Sequence, residues 1–367
     1  MSKKTLVGII IVIAVVAVLV GFFTLRGKGP IKIGAILPLT GPAEYYGEEV
    51  RDGLLLAIGE VNSRGGINGR EIELIIKDSK TDPEEGKTAF NRIEGEHHPV
   101  LYICATSLHC LSLAPLAEEN EVVLVGLVTA APELTEGKEW VFRYCYLAED
   151  ETAPILVILE ELSVKSLGVM YEEGAYGISI LELVKEGLGR TGGTVKGEAL
   201  ELKEVNYKEK ATKLKDMEAI YVAGYEHHIK NAFKQLREID YQGHILGAHG
   251  ASVPSVVSMP ESNGVYIAAP KIYDPEYLFA KEVKERYESE YSKSFNSFSA
   301  NGYDAVKILA ELLEDKEISR KSVKDLLEAG FIHPGILGTI YIKSHDHDLS
   351  FSLYPTQVID GELKYRD

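Results

Sequence analysis

Apolar and polar positions along the chain follow two alternating periods. "IKIGAIL" (31–37) is a short, almost unbroken apolar run, as in a strand covered on both faces. "GEEVRDGLLLAIGEVNSRGG" (47–66) spaces its apolar residues as a helix does and stops at paired glycines. The pair then recurs. "REIELIIKDSK" predicts a strand and "PEEGKTAFNRIEGE" a helix with Pro83 near its start. "VLYICAT" predicts a strand, "LSLAPLAEEN" a helix and "VVLVGLV" a strand. The series restarts with a helix, "ETAPILVILEEL", and a strand, "SLGVMYEE". "YGISILELVKEGLGRTG", "KEKATKLKDM" and "IKNAFKQLREID" follow as helices, interleaved with the strands "TVKGEALEL", "AIYVAGY" and "HILGAHG". Long helical patterns return between Lys271 and Leu327, and the tail from Thr339 reads as strands joined by tight turns.

Strands separated by helical segments predict parallel sheets with helices on both faces. The restart near Ala148 predicts two doubly wound α/β lobes. The first 29 residues differ from all of this. No charge occurs from Thr5 to Leu25, a run long enough to cross a hydrocarbon core of ~30 Å as a helix. Lys3 and Lys4 precede it, Arg26 and Lys28 follow it, and no A-x-A-like cleavage site stands after it. The segment therefore predicts an uncleaved N-terminal transmembrane anchor, with a cleaved signal as the other reading. Either one places the remaining chain outside the cytoplasm.

Charge and cysteine content narrow the function classes. Over 367 residues the formal net charge is −17, which argues against nucleic acid as the partner, because a phosphate backbone calls for a basic footprint. Three cysteines (Cys104, Cys110 and Cys145) allow at most one internal disulfide, and spacing leaves the pairing open. Cys104 and Cys145 sit in apolar or aromatic runs, as small buried hydrophobes do. "EHHP" (96–99), "EHH" (226–228) and "HDHD" (345–348) occupy separate turns, without the converging spacing of a metal site. No G-x-S-x-G elbow and no paired acid and base stand out, so neither an enzyme nor a cofactor is expected.

In open α/β sheets ligands bind beyond the carboxyl ends of the strands. The segments there are "PLTGPAEYYG", "ATSLHC", "VTAAPEL", "EEGAYG", "YEHH" and "HGAS", all rich in hydroxyls, aromatics or glycine. Two lobes facing each other would gather these loops around one cleft.

The stretch from "IKIGAILPLTGPAEYYGEEVRDG" through "NSRGGINGR" and "KDSKTDP" resembles the leucine/isoleucine/valine-binding family. These are substrate-binding proteins of ABC transporters with the type I periplasmic binding fold. "SLAPLAEEN", "AAPELT", "AYG", "AGY" and "GYDAV" extend the resemblance over nearly everything after Pro30. It implies two lobes joined by three crossovers: residues 30–148 and 269–343 in lobe 1, and residues 149–268 and 344–367 in lobe 2, after a 1–29 anchor. The implied function is capture of a small polar ligand by hinge closure and delivery to an ABC permease, from a position tethered to the membrane. A ligand sensor of the same fold is the alternative.

By position, the resemblance assigns ligand contacts to Tyr46, Thr106, Ser107, Thr129 and Ala130 in lobe 1 and to Tyr176, Tyr225 and His249 in lobe 2. Ser107 also suits a helix N-cap, a role compatible with holding an anion. Amino-acid binders of the family carry an acid where His249 stands. An imidazole is a weaker partner for an ammonium group, so carboxylic acids and amides join amino acids as candidate ligands. Glu226, beside Tyr225, is a substitute source of negative charge.

Overall fold

The computed structural model describes residues 29–272 and 278–366. The first sheet contains β1 (Ile31–Leu37), β2 (Ile72–Asp78), β3 (Leu101–Ala105), β4 (Val123–Leu127) and β5 (Val141–Tyr144), joined by the short β13 (Asp348–Leu349). Its order is β13-β5-β4-β3-β1-β2, and every pairing is parallel. The second sheet runs β15-β14-β10-β9-β8-β6-β7. Its parallel part is β6 (Ser166–Glu172), β7 (Thr194–Leu200), β8 (Ala219–Ala223), β9 (His244–Gly247) and β10 (Tyr266–Ala269). An antiparallel edge is added by β14 (Tyr354–Ile359) and β15 (Glu362–Tyr365). A separate hairpin joins β11 (Phe331–Gly335) to β12 (Gly338–Ile342).

Helices cover both sheets. The first lobe carries α1 (Glu44–Ser63), α2 (Pro83–His97) and α3 (Ser107–Glu119). The second carries α4 (Ala148–Glu161), α5 (Ala175–Gly189), α6 (Lys208–Lys213), α7 (Glu226–Glu238) and the single turn α8 (Pro254–Val257). The chain then returns to the first lobe with α9 (Leu278–Tyr291), α10 (Ser297–Leu313) and α11 (Arg320–Glu328). It passes between the sheets after β5, after β10 and between Leu349 and Tyr354. The two sheets have equivalent orders, 2-1-3-4-5 and 7-6-8-9-10, so each has a switch point beside its first strand, where such folds bind ligands.

Two packing details place the first cleft loop. Helices α1 and α10 touch through glycines: a Cβ on Gly53 would lie 2.0 Å from the Ser299 carbonyl, and one on Gly302 would lie 2.4 Å from that of Val50. No side chain fits there, and the two backbones lock together. At the start of α1, a Cβ on Gly47 would meet the Pro38 carbonyl at 2.0 Å. The "AEYYG" glycine thus lets the loop after β1 fold tightly onto its helix and fixes the neighbouring Tyr46.

The expected N-terminal transmembrane helix, and with it the single-pass membrane tether and location, is corrected. No helix among the described residues is long and apolar enough to cross a membrane. The run from Thr5 to Leu25 on which the expectation rests lies outside the described residues. The cysteine question is resolved: Cys104 and Cys110 form a disulfide, and Cys145 is free and buried. Cys104 is thus a cross-link, tying the end of β3 to the first turn of α3.

Candidate functional site

A cavity lies between the sheets at their carboxyl edges. The first lobe and its crossover line it with Tyr46, Thr106, Ser107, Val128, Ala130, Tyr146 and Phe298. The second lobe supplies Glu172, Tyr176, Gly224, Tyr225 and Gly250.

The loop after β3 is held in a costly conformation. Thr106 has φ 70° and ψ 145°, and Val128 on the adjacent loop has φ 53°. β-branched residues rarely adopt positive φ, and each such residue costs on the order of 1–3 kcal/mol. Both line the cavity, so the strain is stored where a ligand would sit. The Cys104–Cys110 bridge spans the same turn and restrains it.

Thr106 precedes α3, whose first-turn N–H groups have no acceptor within the helix and favour negative charge. Ser107 is the first helical residue. Its Oγ accepts from the Thr129 hydroxyl at 3.1 Å and from the Ala131 N–H at 3.4 Å. With both acceptor sites taken, its own proton is left to donate. This turn can therefore hold a carboxylate with a hydroxyl and backbone N–H groups, without a basic side chain.

Thr129 itself is fully buried behind this surface, where it orients Ser107. The loop it belongs to hangs from Arg143, a completely buried guanidinium. Arg143 donates to the carbonyls of Ala131 (2.9 Å), Pro132 (3.3 Å) and Thr129 (3.4 Å), to the Thr135 hydroxyl (3.1 Å), and to Asp348 at 2.7 Å. Five acceptors converge on one planar cation and fix the backbone that carries Ala130.

The lobes meet across the cavity. The rings of Tyr46 and Tyr225 lie 6.1 Å apart, and Tyr46 stands edge-on to Phe298 at 4.8 Å. The Tyr225 hydroxyl of the second lobe approaches the Thr106 side chain of the first. The lobes are therefore closed on each other.

Of the eight positions expected to contact a ligand, Tyr46, Thr106, Ser107, Ala130, Tyr176 and Tyr225 line the cavity, and Thr129 and His249 do not. His249 is buried behind the wall, where Nε2 meets Ser297 Oγ at 2.8 Å and the ring packs edge-on to Tyr146. Burial pushes its imidazole down to about 3, so it is neutral. Its backbone N–H donates to Glu151 at 2.5 Å. Its neighbour Gly250 is the residue that reaches the cavity. Glu226 is also turned aside, with its carboxylate engaged by Ser255 and Lys230.

Two acids escaped the sequence pattern. Glu151, fully buried in the first turn of α4, accepts the Tyr176 hydroxyl at 2.8 Å, and burial raises its carboxyl to about 7. Glu172, the last residue of β6, faces the cavity itself. The string "YEEG" gave no sign that one of its two acids turns inward. Among the described residues, no group of three or more His, Cys, Asp or Glu is arranged to hold a metal.

Comparison with known proteins agrees with this architecture. Residues 30–362 match the family model described as periplasmic binding protein. The chain is 27% identical over 342 residues to the Leu/Ile/Val-binding protein BraC3 of Rhizobium johnstonii, covering 88% of this chain and 91% of that one. The solved leucine-binding protein LivK of Thermotoga maritima superposes with a TM-score of 0.84 at 25% identity, over 92% of this chain and 98% of that one. A solute-binding protein of an ABC transporter from Rhodopseudomonas palustris, solved with 3,4-dihydroxybenzoic acid, shares the fold at a TM-score of 0.83 and 20% identity, over 92% and 96% of the two chains.

Proposed function

The chain belongs to the periplasmic binding protein family, and on that premise we propose that it captures an amino acid, first of all a branched aliphatic one, between its lobes. It is an extracytoplasmic ligand-binding protein that works with an ABC permease, and it binds its ligand without transforming it. The observation that carries the amino-acid reading is the composition of the cleft. Thr106, Ser107 and the α3 N-terminus suit a carboxylate, while Val128, Ala130, Phe298 and the tyrosine rings offer an apolar surface to an aliphatic side chain. The names of the relatives point the same way, since BraC3 is described as a Leu/Ile/Val-binding protein and the Thermotoga protein as a leucine-binding protein.

Binding proceeds by hinge closure. The ligand meets the first-lobe loops, and the second lobe then brings Tyr176, Tyr225 and Gly250 over it. Water leaves the cleft, and fixed hydroxyls and N–H groups replace it. The closed pair of lobes is the shape offered to the permease. Isothermal titration of the protein with the standard L-amino acids tests this reading. Saturable binding of leucine, isoleucine or valine is expected, and no binding by any amino acid would refute it.

A further inference from the structure

Glu172 is the one charged residue among those lining the cavity, which include no Lys, Arg or His. Glu172 is buried, and the strongest charge acting on it is Glu173, another acid. Its two oxygens each accept one backbone N–H, from Gly174 at 2.8 Å and from Gly177 at 3.1 Å. Those bonds cap the start of α5. A carboxylate offers about four acceptor positions, so room for further donors remains. A buried anion without a cation is unfavourable unless something supplies the missing charge.

Position indicates what that is. Glu172 and the Thr106 side chain both lie near enough to the Tyr225 hydroxyl to act on it. The acid on the second lobe and the Thr106–Ser107 turn on the first therefore meet the cavity on either side of Tyr225. An α-amino acid carries its two charges on a single carbon and presents them together to such a pair.

Resting on the amino-acid reading above, we infer that Glu172 is the counter-charge for the ligand's α-ammonium group and selects amino acids over their deaminated analogues. The role falls to β6, because His249 lies behind the wall and Glu226 points away. Burial holds the Glu172 carboxyl above its usual range, a cost that a cation beside it would offset.

The test is calorimetric titration of wild type and Glu172→Gln with L-leucine and with 4-methylpentanoate, backed by the other L-amino acids and their deaminated counterparts. Glutamine keeps one of the two acceptors that cap α5, and thermal melting of the variant without ligand checks that the lobe is intact. The expected result is leucine binding weakened about 30-fold or more in the variant, as for a buried charge that loses its partner. Binding of the deaminated acid should stay the same or improve. Equal leucine affinity in both proteins overturns the inference and leaves the amino-acid reading standing. Equal loss for both ligands assigns Glu172 to the α5 cap alone and also overturns it. Wild type that binds only deaminated acids, or no member of the panel, overturns both.

Discussion

Gly250→Ala isolates lobe closure. Gly250 lies on the second lobe and lines the cavity. A Cβ there would sit 2.7 Å from the Tyr46 hydroxyl of the first lobe, 3.1 Å from Ile229 Cδ1 and 3.3 Å from the Gly224 carbonyl. The Ile229 methyl ends a flexible side chain and can move by a few tenths of an ångström. Tyr46 cannot retreat as easily, because it is 4% exposed and wedged between Phe298 and Tyr225. Overpacking of this kind costs ~1–3 kcal/mol. The contact spans the two lobes, so the cost falls on the closed form, and ligand affinity drops with the closed population. That corresponds to a roughly 5- to 150-fold weaker Kd. Calorimetric titration with the bound amino acid measures it, while the melting temperature of the empty protein stays within about 1 °C of wild type, as for a neutral substitution. Tyr46→Phe removes the clashing oxygen, so in the double variant the alanine should cost little beyond what Tyr46→Phe costs alone. Unchanged affinity in Gly250→Ala, or no recovery in the double variant, would refute the reasoning.

Two further substitutions test the supports of the site. Arg143→Met leaves Asp348 without its cation and strips the Ala131 and Thr129 carbonyls of their donor. It should cost about 3 kcal/mol and lower the melting temperature by about 4 °C; a loss below about 1 kcal/mol would mean that the Thr129–Pro132 loop holds itself. Glu151→Gln tests burial of an acid. The Glu151 carboxyl titrates at about 7 in the fold against 4.5 ordinarily, so below pH 4.5 it is protonated in both states and contributes nothing. As pH rises from 4.5 to about 7 the unfolded chain ionises first, and the fold loses on the order of 3 kcal/mol, a loss complete above about 7. The neutral glutamine escapes it, so the melting-temperature gap between variant and wild type should widen in favour of the variant across that window. A gap independent of pH would mean that Glu151 is ionised in the fold.

The repeated exchange of strand and helix periods was enough to predict two parallel α/β lobes, because doubly covered strands such as β1 and β8 are continuous apolar runs. Elements without such runs were harder to read. β5 is only four residues long and follows a Gly-, Lys- and Glu-rich turn, and α3 begins at Ser107 rather than Leu111. Its first turn is hidden because "SLHC" has no helical period and Thr106 before it takes a strained conformation that sequence does not reveal.

Cavity-lining positions were legible where a loop position alone decides what a side chain meets, as for Tyr46, Tyr176 and Tyr225. They were illegible where orientation decides it. His249 and Gly250 are neighbours in one short turn, and only the turn's geometry puts the glycine inward and the imidazole behind. Thr129 likewise turns its hydroxyl to Ser107 rather than to the cleft. Glu172 is one of two adjacent acids, and the pleat of β6 chooses between them. The crossing of the last strands was similarly hidden, since β13 joins the first sheet five residues before β14 joins the second.

Capture as proposed depends on two lobes shutting on a small amino acid. Small-angle X-ray scattering of the protein, with and without a saturating concentration of the amino acid that titration identifies, tests it most directly. A smaller radius of gyration is expected with the amino acid than without it, with Gly250→Ala showing a smaller contraction at the same occupancy. Identical scattering at full occupancy would contradict closure as the mode of capture.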